Sequence, residues 1–226
     1  MSSEFEKNFA PIVTSLEGFE AYVGAAPAYD DEFNSGEDLA FFFNVFRTDA
    51  EALSAQAGAA VFYDQNIALN ENIESIQFST GYIRFHQKAP GVCSGASLSD
   101  GGGFLYFRTY ETNSQDESQM LTKAVEKGLA PKISSLMGFK MYLGGELDPV
   151  DERQGTFFIG VFETKDQVDA ALTVAGEWVT GSAYADLFST TRTRSIDAEI
   201  SFAEFCEELP RFNSYSYSYS LSFSAS

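Results

Sequence analysis

The stretch FAPIVTSLEGFEAYVG, Phe9 to Gly24, returns later in the same chain as LAPKISSLMGFKMYLG, Leu129 to Gly144. The copies align without a gap, and Ala, Pro, Ser, Leu, Gly, Phe, Tyr and Gly recur at matching places. Such an ordered match marks a tandem duplication. A second block supports it: FFFNVFRTDAEAL from Phe41 resembles TFFIGVFETKDQV from Thr156 after a small change of register. Two copies are too few for a solenoid, so the expectation is two pseudo-symmetric halves that share an interface.

Each half reads in the same order. Phe5, Phe9, Ile12, Val13 and Leu16 mark one helical face in the first half; Val125, Leu129, Ile133 and Leu136 do so in the second. Pro11 and Pro131 kink these helices or begin a second helical segment. Gly18 and Gly138 stand where each helix should stop. Extended segments FEAYVG and FKMYLG follow, with Phe19, Ala21 and Val23 facing one way and Glu20 and Tyr22 the other. Polar loops are expected at Tyr29 to Asp38 and Glu146 to Gly155, then strands at Ala40 to Phe46 and Thr156 to Phe162. These strands are bulky on both faces, so both faces need cover. Thr48 with Glu51, and Thr164 with Gln167, have capping-box spacing at the start of a helix. The helices carry Leu53, Ala57, Ala60 and Val61 in one half and Val168, Ala171, Leu172, Ala175 and Trp178 in the other. Last strands are expected near Ile73 to His86, with a break or bulge around Thr80 and Gly81, and near Thr191 to Phe202.

The second half also has an opening strand, FLYFRTYE, Phe104 to Glu111, which completes a βαββαβ order. The first half lacks one. The tail SYSYSYSLSFS, Ser214 to Ser224, alternates Tyr, Leu and Phe with Ser as a strand does, and is the candidate to fill the gap. A low-complexity tail, or an edge strand that pairs elsewhere, is the competing reading. The chain then divides into a first half at 1–90, a linker at 91–103, a second half at 104–205 and a tail at 206–226. The expected core holds Phe19, Val23, Phe41, Phe43, Val45, Phe104, Phe139, Leu143, Phe158 and Val161.

Two such α+β halves resemble the dimeric α+β barrel superfamily, of antibiotic-biosynthesis-monooxygenase-like or stress-responsive barrel type, fused into one chain. The resemblance spans about Glu4 to Phe202 and rests on the duplication and the element order. It implies a pseudo-twofold barrel of two ferredoxin-like halves with helices outside, and pockets between sheet and helices or within the barrel. Members include oxygenases, haem-degrading enzymes and haem proteins, so it also implies a small-molecule site.

Composition narrows the function. The 226 residues are 44% hydrophobic and 15% aromatic, ample for a core. Lys plus Arg total 14 against 33 Asp plus Glu, a formal charge of -19, which repels nucleic-acid backbones and anionic bilayers. Ser2, Ser3, Glu4 and Phe5 after Met1 do not read as a signal peptide, and no stretch approaches the roughly 20 apolar residues of a membrane span. A cytoplasmic or other soluble compartment is expected. Cys93 and Cys206 are too few for a disulfide framework; they read as one bridge or as two thiols in a reducing compartment.

Chemistry is thin. His86, the only histidine, suits an acid, a base or a haem ligand, against the plainer reading of a strand-end side chain. Arg84, Arg108 and Arg47 could hold a carboxylate or phenolate, or form surface ion pairs. Asn44 stands where the second half has Gly160, whereas Tyr22 and Tyr142 recur, which favours shared packing. Trp178 reads as a pocket wall or a core anchor. Acidic runs at Asp30, Asp31, Glu32, Glu37 and Asp38, and at Asp148, Asp151 and Glu152, lack the EF-hand pattern. Gly101 to Gly103 lack a phosphate-loop lysine. No cofactor and no metal are expected. The candidate ligand-binding set is Tyr22, Asn44, Arg84, His86, Tyr106, Arg108 and Trp178, for a small aromatic or apolar molecule, with cofactor-independent oxygenation as the enzymatic extension. The alternative is a non-catalytic structural or interaction protein, whose acidic surface would suit a basic partner.

Overall fold

The computed structural model describes residues 15–27, 41–65, 79–90, 103–150, 153–205 and 215–219. The first helix of the first half, the acidic loop at 29–38, Cys93 and Cys206 lie outside the described residues.

Among the described residues eight strands form one closed antiparallel barrel. They are β1 (Phe19–Pro27), β2 (Phe41–Phe46), β3 (Ser79–Lys88), β4 (Phe104–Thr112), β5 (Phe139–Val150), β6 (Arg153–Phe162), β7 (Arg192–Phe205) and β8 (Tyr215–Tyr219). Around the barrel they run β1-β2-β8-β3-β5-β6-β4-β7. The second half thus follows the ferredoxin-like order, with its opening strand β4 between β6 and β7. In the first half the corresponding slot lies between β2 and β3, and β8 occupies it, antiparallel to both. The tail therefore supplies the missing first strand. Two seams, β3 with β5 and β7 with β1, close the ring.

The helices are α1 (Asp49–Gln65), α2 (Gln115–Ala124), α3 (Ala130–Ser134), α4 (Lys165–Thr180) and α5 (Ala185–Thr191). A π-helical turn, Val125–Leu129, joins α2 to α3. It is the outcome of Pro131, whose ring cannot follow regular i to i−4 bonding: the Ala130 N–H reaches back five residues to the Val125 carbonyl, and a new segment starts there. Among the described residues no helix is long and apolar enough to cross a membrane.

The duplication repeats in detail. Gly18 and Gly138 both have φ of 74°, the left-handed turn that favours glycine. Their carbonyls accept the Arg47 and Glu163 N–H at 2.9 and 3.0 Å. A Cβ on Gly18 would fall 2.0 Å from the Glu51 carboxylate, and one on Gly138 1.9 Å from the Gln167 amide. Glu51 and Gln167 are the capping-box partners of Thr48 and Thr164, so each glycine seats the next helix cap. Phe19 pairs with Phe46 as Phe139 pairs with Phe162, each with a bulge just after the first residue.

That bulge breaks the strict alternation expected of FEAYVG and its repeat FKMYLG. Met141 and Leu143 point into the barrel, but Phe139 joins the layer under the helices, where it meets Phe162 edge-on at 6.0 Å. Two further details differ from expectation. The irregularity in β3 falls at Arg84, between Ile83 and Phe85, not at Thr80 and Gly81. The segment from Glu146 to Gly155, expected as a polar loop, instead prolongs the β5–β6 hairpin to Val150 opposite Arg153. Glu146 is tolerated on the sheet because Arg84 grips both its oxygens, at 2.9 and 2.8 Å.

The barrel interior is filled by buried apolar side chains, among them Val23, Phe43, Leu105, Phe107, Leu143 and Phe157. Of the expected core, Phe19, Val23, Phe43, Val45, Phe139, Leu143, Phe158 and Val161 are buried and Phe104 is partly so; the Phe41 side chain lies outside the description. A second apolar layer lies between the outer sheet face and the helices of the second half.

Deleting residues 213–226 should strip β2 and β3 of their shared partner. The expected result is a loss on the order of 4 kcal/mol or more, or aggregation. Thermal unfolding and solution mass check it, and an unchanged midpoint with unchanged mass would contradict the strand's role.

Candidate functional site

Strand alternation sorts β4 into two faces. Leu105 and Phe107 enter the barrel core, while Tyr106, Arg108 and Tyr110 face the helices. Tyr142 on β5 and Phe158 on β6 lie on the same outer face. Above them stand Val125 and Leu129 at the two ends of the π-helical turn, one face of α4, and Phe188 of α5. Between floor and roof is a cavity of about 470 Å³. That volume suits a small organic molecule.

The floor is aromatic. Tyr106 stacks on Phe162 with centroids 6.4 Å apart and planes at 21°, and its ring lies 6.2 Å from that of Tyr142. Tyr110 meets Phe188 edge-on at 5.0 Å and Phe158 at 5.9 Å. Gly160 makes this possible, because a Cβ there would sit 2.3 Å from the Tyr106 ring.

Among the described residues Arg108 is the one charged group in the cavity wall. Its Nη1 donates to the carbonyls of Phe107 and Ile196, both at 2.9 Å, and its Nη2 pairs with Asp197 at 2.7 Å. The guanidinium carbon lies 5.7 Å from the centroid of the Tyr106 ring. The cation is thus compensated yet borders an apolar space.

The Tyr106 hydroxyl is buried and makes no well-formed hydrogen bond; the Tyr142 phenol is within loose hydrogen-bonding reach of it. Such a group is costly unless something arrives to pair with it. Burial pushes the Tyr106 phenol far above the ordinary tyrosine range, with nearby Tyr142 and Arg108 pulling it partly back. Burial, then the neighbouring Tyr106 and Tyr110, raises the Tyr142 phenol as well. Both phenols stay protonated at neutral pH and serve as donors, not bases.

Of the residues singled out from sequence, Tyr106 and Arg108 line this cavity together. Trp178 stands behind its wall, edge-on to Phe188 at 6.1 Å, and lines a separate groove with Lys123 and Lys127. Tyr22 and Asn44 are register partners in the first half. Arg84 is held at the β3–β5 seam by Glu146 and lies 5.4 Å from the Tyr82 ring centroid. His86 pairs with Leu143 at the end of β3, where burial first and then Lys88 lower its pKa. Sequence reasoning passed over Tyr142, Tyr110, Phe158 and Phe188. The period-two count along FLYFRTYE carries the signal for Tyr110, on one face with Tyr106 and Arg108. Among the described residues no three His, Cys, Asp or Glu side chains gather as a metal site.

No protein-family profile and no curated protein matches the chain. Solved structures do. A candidate monooxygenase from Lactobacillus acidophilus NCFM is 15% identical, with a TM-score of 0.52 over 90% of this chain and 87% of its own. An anthrone oxidase-like protein is 10% identical, with a TM-score of 0.60 over 92% and 88%. A candidate monooxygenase from Fusobacterium nucleatum is 9% identical, with a TM-score of 0.55 over 91% and 87%. At these identities the likeness establishes the shared α+β barrel fold.

Tyr106→Phe removes an unsatisfied buried hydroxyl. Urea unfolding of the ligand-free protein should show equal or greater stability, by up to about 1 kcal/mol; a loss above about 2 kcal/mol would mean the hydroxyl is satisfied. The pH sign follows from the raised phenol. A group held neutral in the folded state contributes fully below the ordinary tyrosine value of about 10 and loses that contribution as pH rises beyond it. Stability should therefore fall above about pH 10, and the fall should be shallower in Tyr106→Phe.

Proposed function

We propose that the chain binds a small, neutral aromatic molecule in the cavity of its second half, and that cofactor-independent oxygenation of an electron-rich ligand is the chemistry this site serves. The observation that carries the reading is the unsatisfied Tyr106 hydroxyl on an aromatic floor beside Arg108. A carbonyl or phenol oxygen of the ligand would accept from Tyr106 or Tyr142, and its ring would lie against Tyr110 and Phe158. Arg108 would favour the anionic, electron-rich form of that ligand by its positive charge.

Among the described residues the wall contains no histidine, carboxylate or thiol, so no described side chain there is suited to take a proton at neutral pH. The substrate must then be acidic enough to ionise with Arg108 as its main electrostatic help. An anthrone meets this demand, and the name of one fold relative suggests the class. The reaction balances as anthrone plus O2 giving anthraquinone plus water. Two C–H bonds break at one carbon, one oxygen atom becomes its carbonyl, and the other leaves as water. The substrate supplies all four electrons. Ligand binding without turnover, in a non-catalytic interaction protein, is the second reading, favoured by the absence of a base.

The two separate in one experiment. Anthrone titrated anaerobically should quench Trp178, and Tyr106→Phe and Arg108→Met should each weaken binding about tenfold, about 1.4 kcal/mol. Admitting O2 should then give anthraquinone faster than buffer alone. Binding without acceleration would leave the non-catalytic reading; no saturable quenching would overturn the site.

A further inference from the structure

We infer that the cavity opens to solvent alongside the last turns of α4, at the edge that carries Gly176 and Thr180, and that the absent side chain at Gly176 keeps this mouth wide enough for a planar aromatic ligand. The inference rests on the reading of the cavity as a ligand site. Among the cavity-lining residues the floor is buried except for half-buried Tyr110, and the rest of the roof is buried or half-buried; only Gly176 and Thr180 are exposed. A residue that both walls a cavity and meets solvent marks its rim. The two lie four apart on one helix, stacked on the same face, and the Thr180 hydroxyl donates to the Gly176 carbonyl at 2.8 Å.

Glycine within a helix is disfavoured relative to alanine, so its presence needs a cause. Backbone conformation is not the cause: among the described residues only Gly18 and Gly138 have positive φ. Close packing is not the cause either. A Cβ at Gly176 would meet nothing within 4 Å, whereas one at Gly128 would fall 2.8 Å from the Trp178 ring. Nor does Gly176 end the helix, which continues to Thr180 and is capped by Gly181. Counted from the matched caps Thr48 and Thr164, the first half carries Ala60 at this place, so the glycine is no part of the duplicated scaffold. What remains is the open space beside the cavity. Among the described lining residues no acid or base stands at the rim, and Arg108 lies on the buried part of the floor, so the mouth suits an uncharged ligand.

The test is kinetic. Anthraquinone, an unreactive planar probe, is mixed with the protein in stopped flow and followed through Trp178. Gly176→Leu should slow association and dissociation together by about tenfold, with Kd moving less than about threefold and the thermal midpoint equal or higher. Gly58→Leu on α1, where a Cβ likewise meets nothing within 4 Å, should leave both rates unchanged. A second measurement needs no ligand affinity: Leu172→Cys inside the cavity is labelled with N-ethylmaleimide and read by peptide mass, and adding Gly176→Leu should slow that labelling about tenfold. Unchanged labelling, or a lowered thermal midpoint in Gly176→Leu, would overturn the mouth. Gated labelling with no anthraquinone binding would keep the mouth and remove the ligand reading.

Discussion

The barrel depends on one slot. In a ferredoxin-like sheet the opening strand is interior, bonded on both sides, and without it β2 and β3 would face each other across a gap with two unpaired edges. β8 closes the gap from the far end of the chain. Its register puts Tyr217 and Tyr219 opposite Val45 and Phe43, the positions that Leu105 and Phe107 hold opposite Val161 and Ile159 in the other half. The two halves are therefore complete in space though permuted in sequence. A tail engaged in this way is not an exposed edge awaiting another chain, which removes the simplest physical route to an interaction role.

The same register explains why the halves differ chemically. Tyr106 stands opposite Gly160, and the glycine leaves room for the ring. At the matching places in the first half Ser218 stands opposite Asn44. The phenolic floor thus belongs to the half whose opening strand is FLYFRTYE, while the tail's alternation puts serine at the equivalent register positions.

Much of this was legible. The repeat around Gly18 and Gly138 gave the duplication, the Thr–x–x–Glu and Thr–x–x–Gln spacings marked helix starts, and the Tyr–Ser alternation marked β8. Tyr106 and Arg108 were within reach because period two along one strand is a local property. Tyr142 was not, because its recurrence as Tyr22 made it look like scaffold; its role depends on what stands opposite, and only the register places Gly160 opposite Tyr142 and Asn44 opposite Tyr22. The bulges after Phe19 and Phe139 were equally hidden, since a one-residue slip leaves no mark in composition. The long β5–β6 hairpin was missed because Glu146 reads as loop until Arg84, 62 residues earlier, is seen to neutralise it.

The environment of the cavity decides what chemistry it can support. Desolvation that raises the phenols of Tyr106 and Tyr142 also withholds them as bases, and His86, the one histidine, is not among the wall residues. An uncharged molecule enters such a space at little electrostatic cost and finds a donor already desolvated. An anion formed inside it gains from Arg108, whose charge is paired with Asp197 and whose Nη1 alone donates to two carbonyls. On the proposed reading, proton acceptance falls to solvent or to the reacting partner, and the acidity of the ligand, more than any side chain, would set whether binding leads to oxidation.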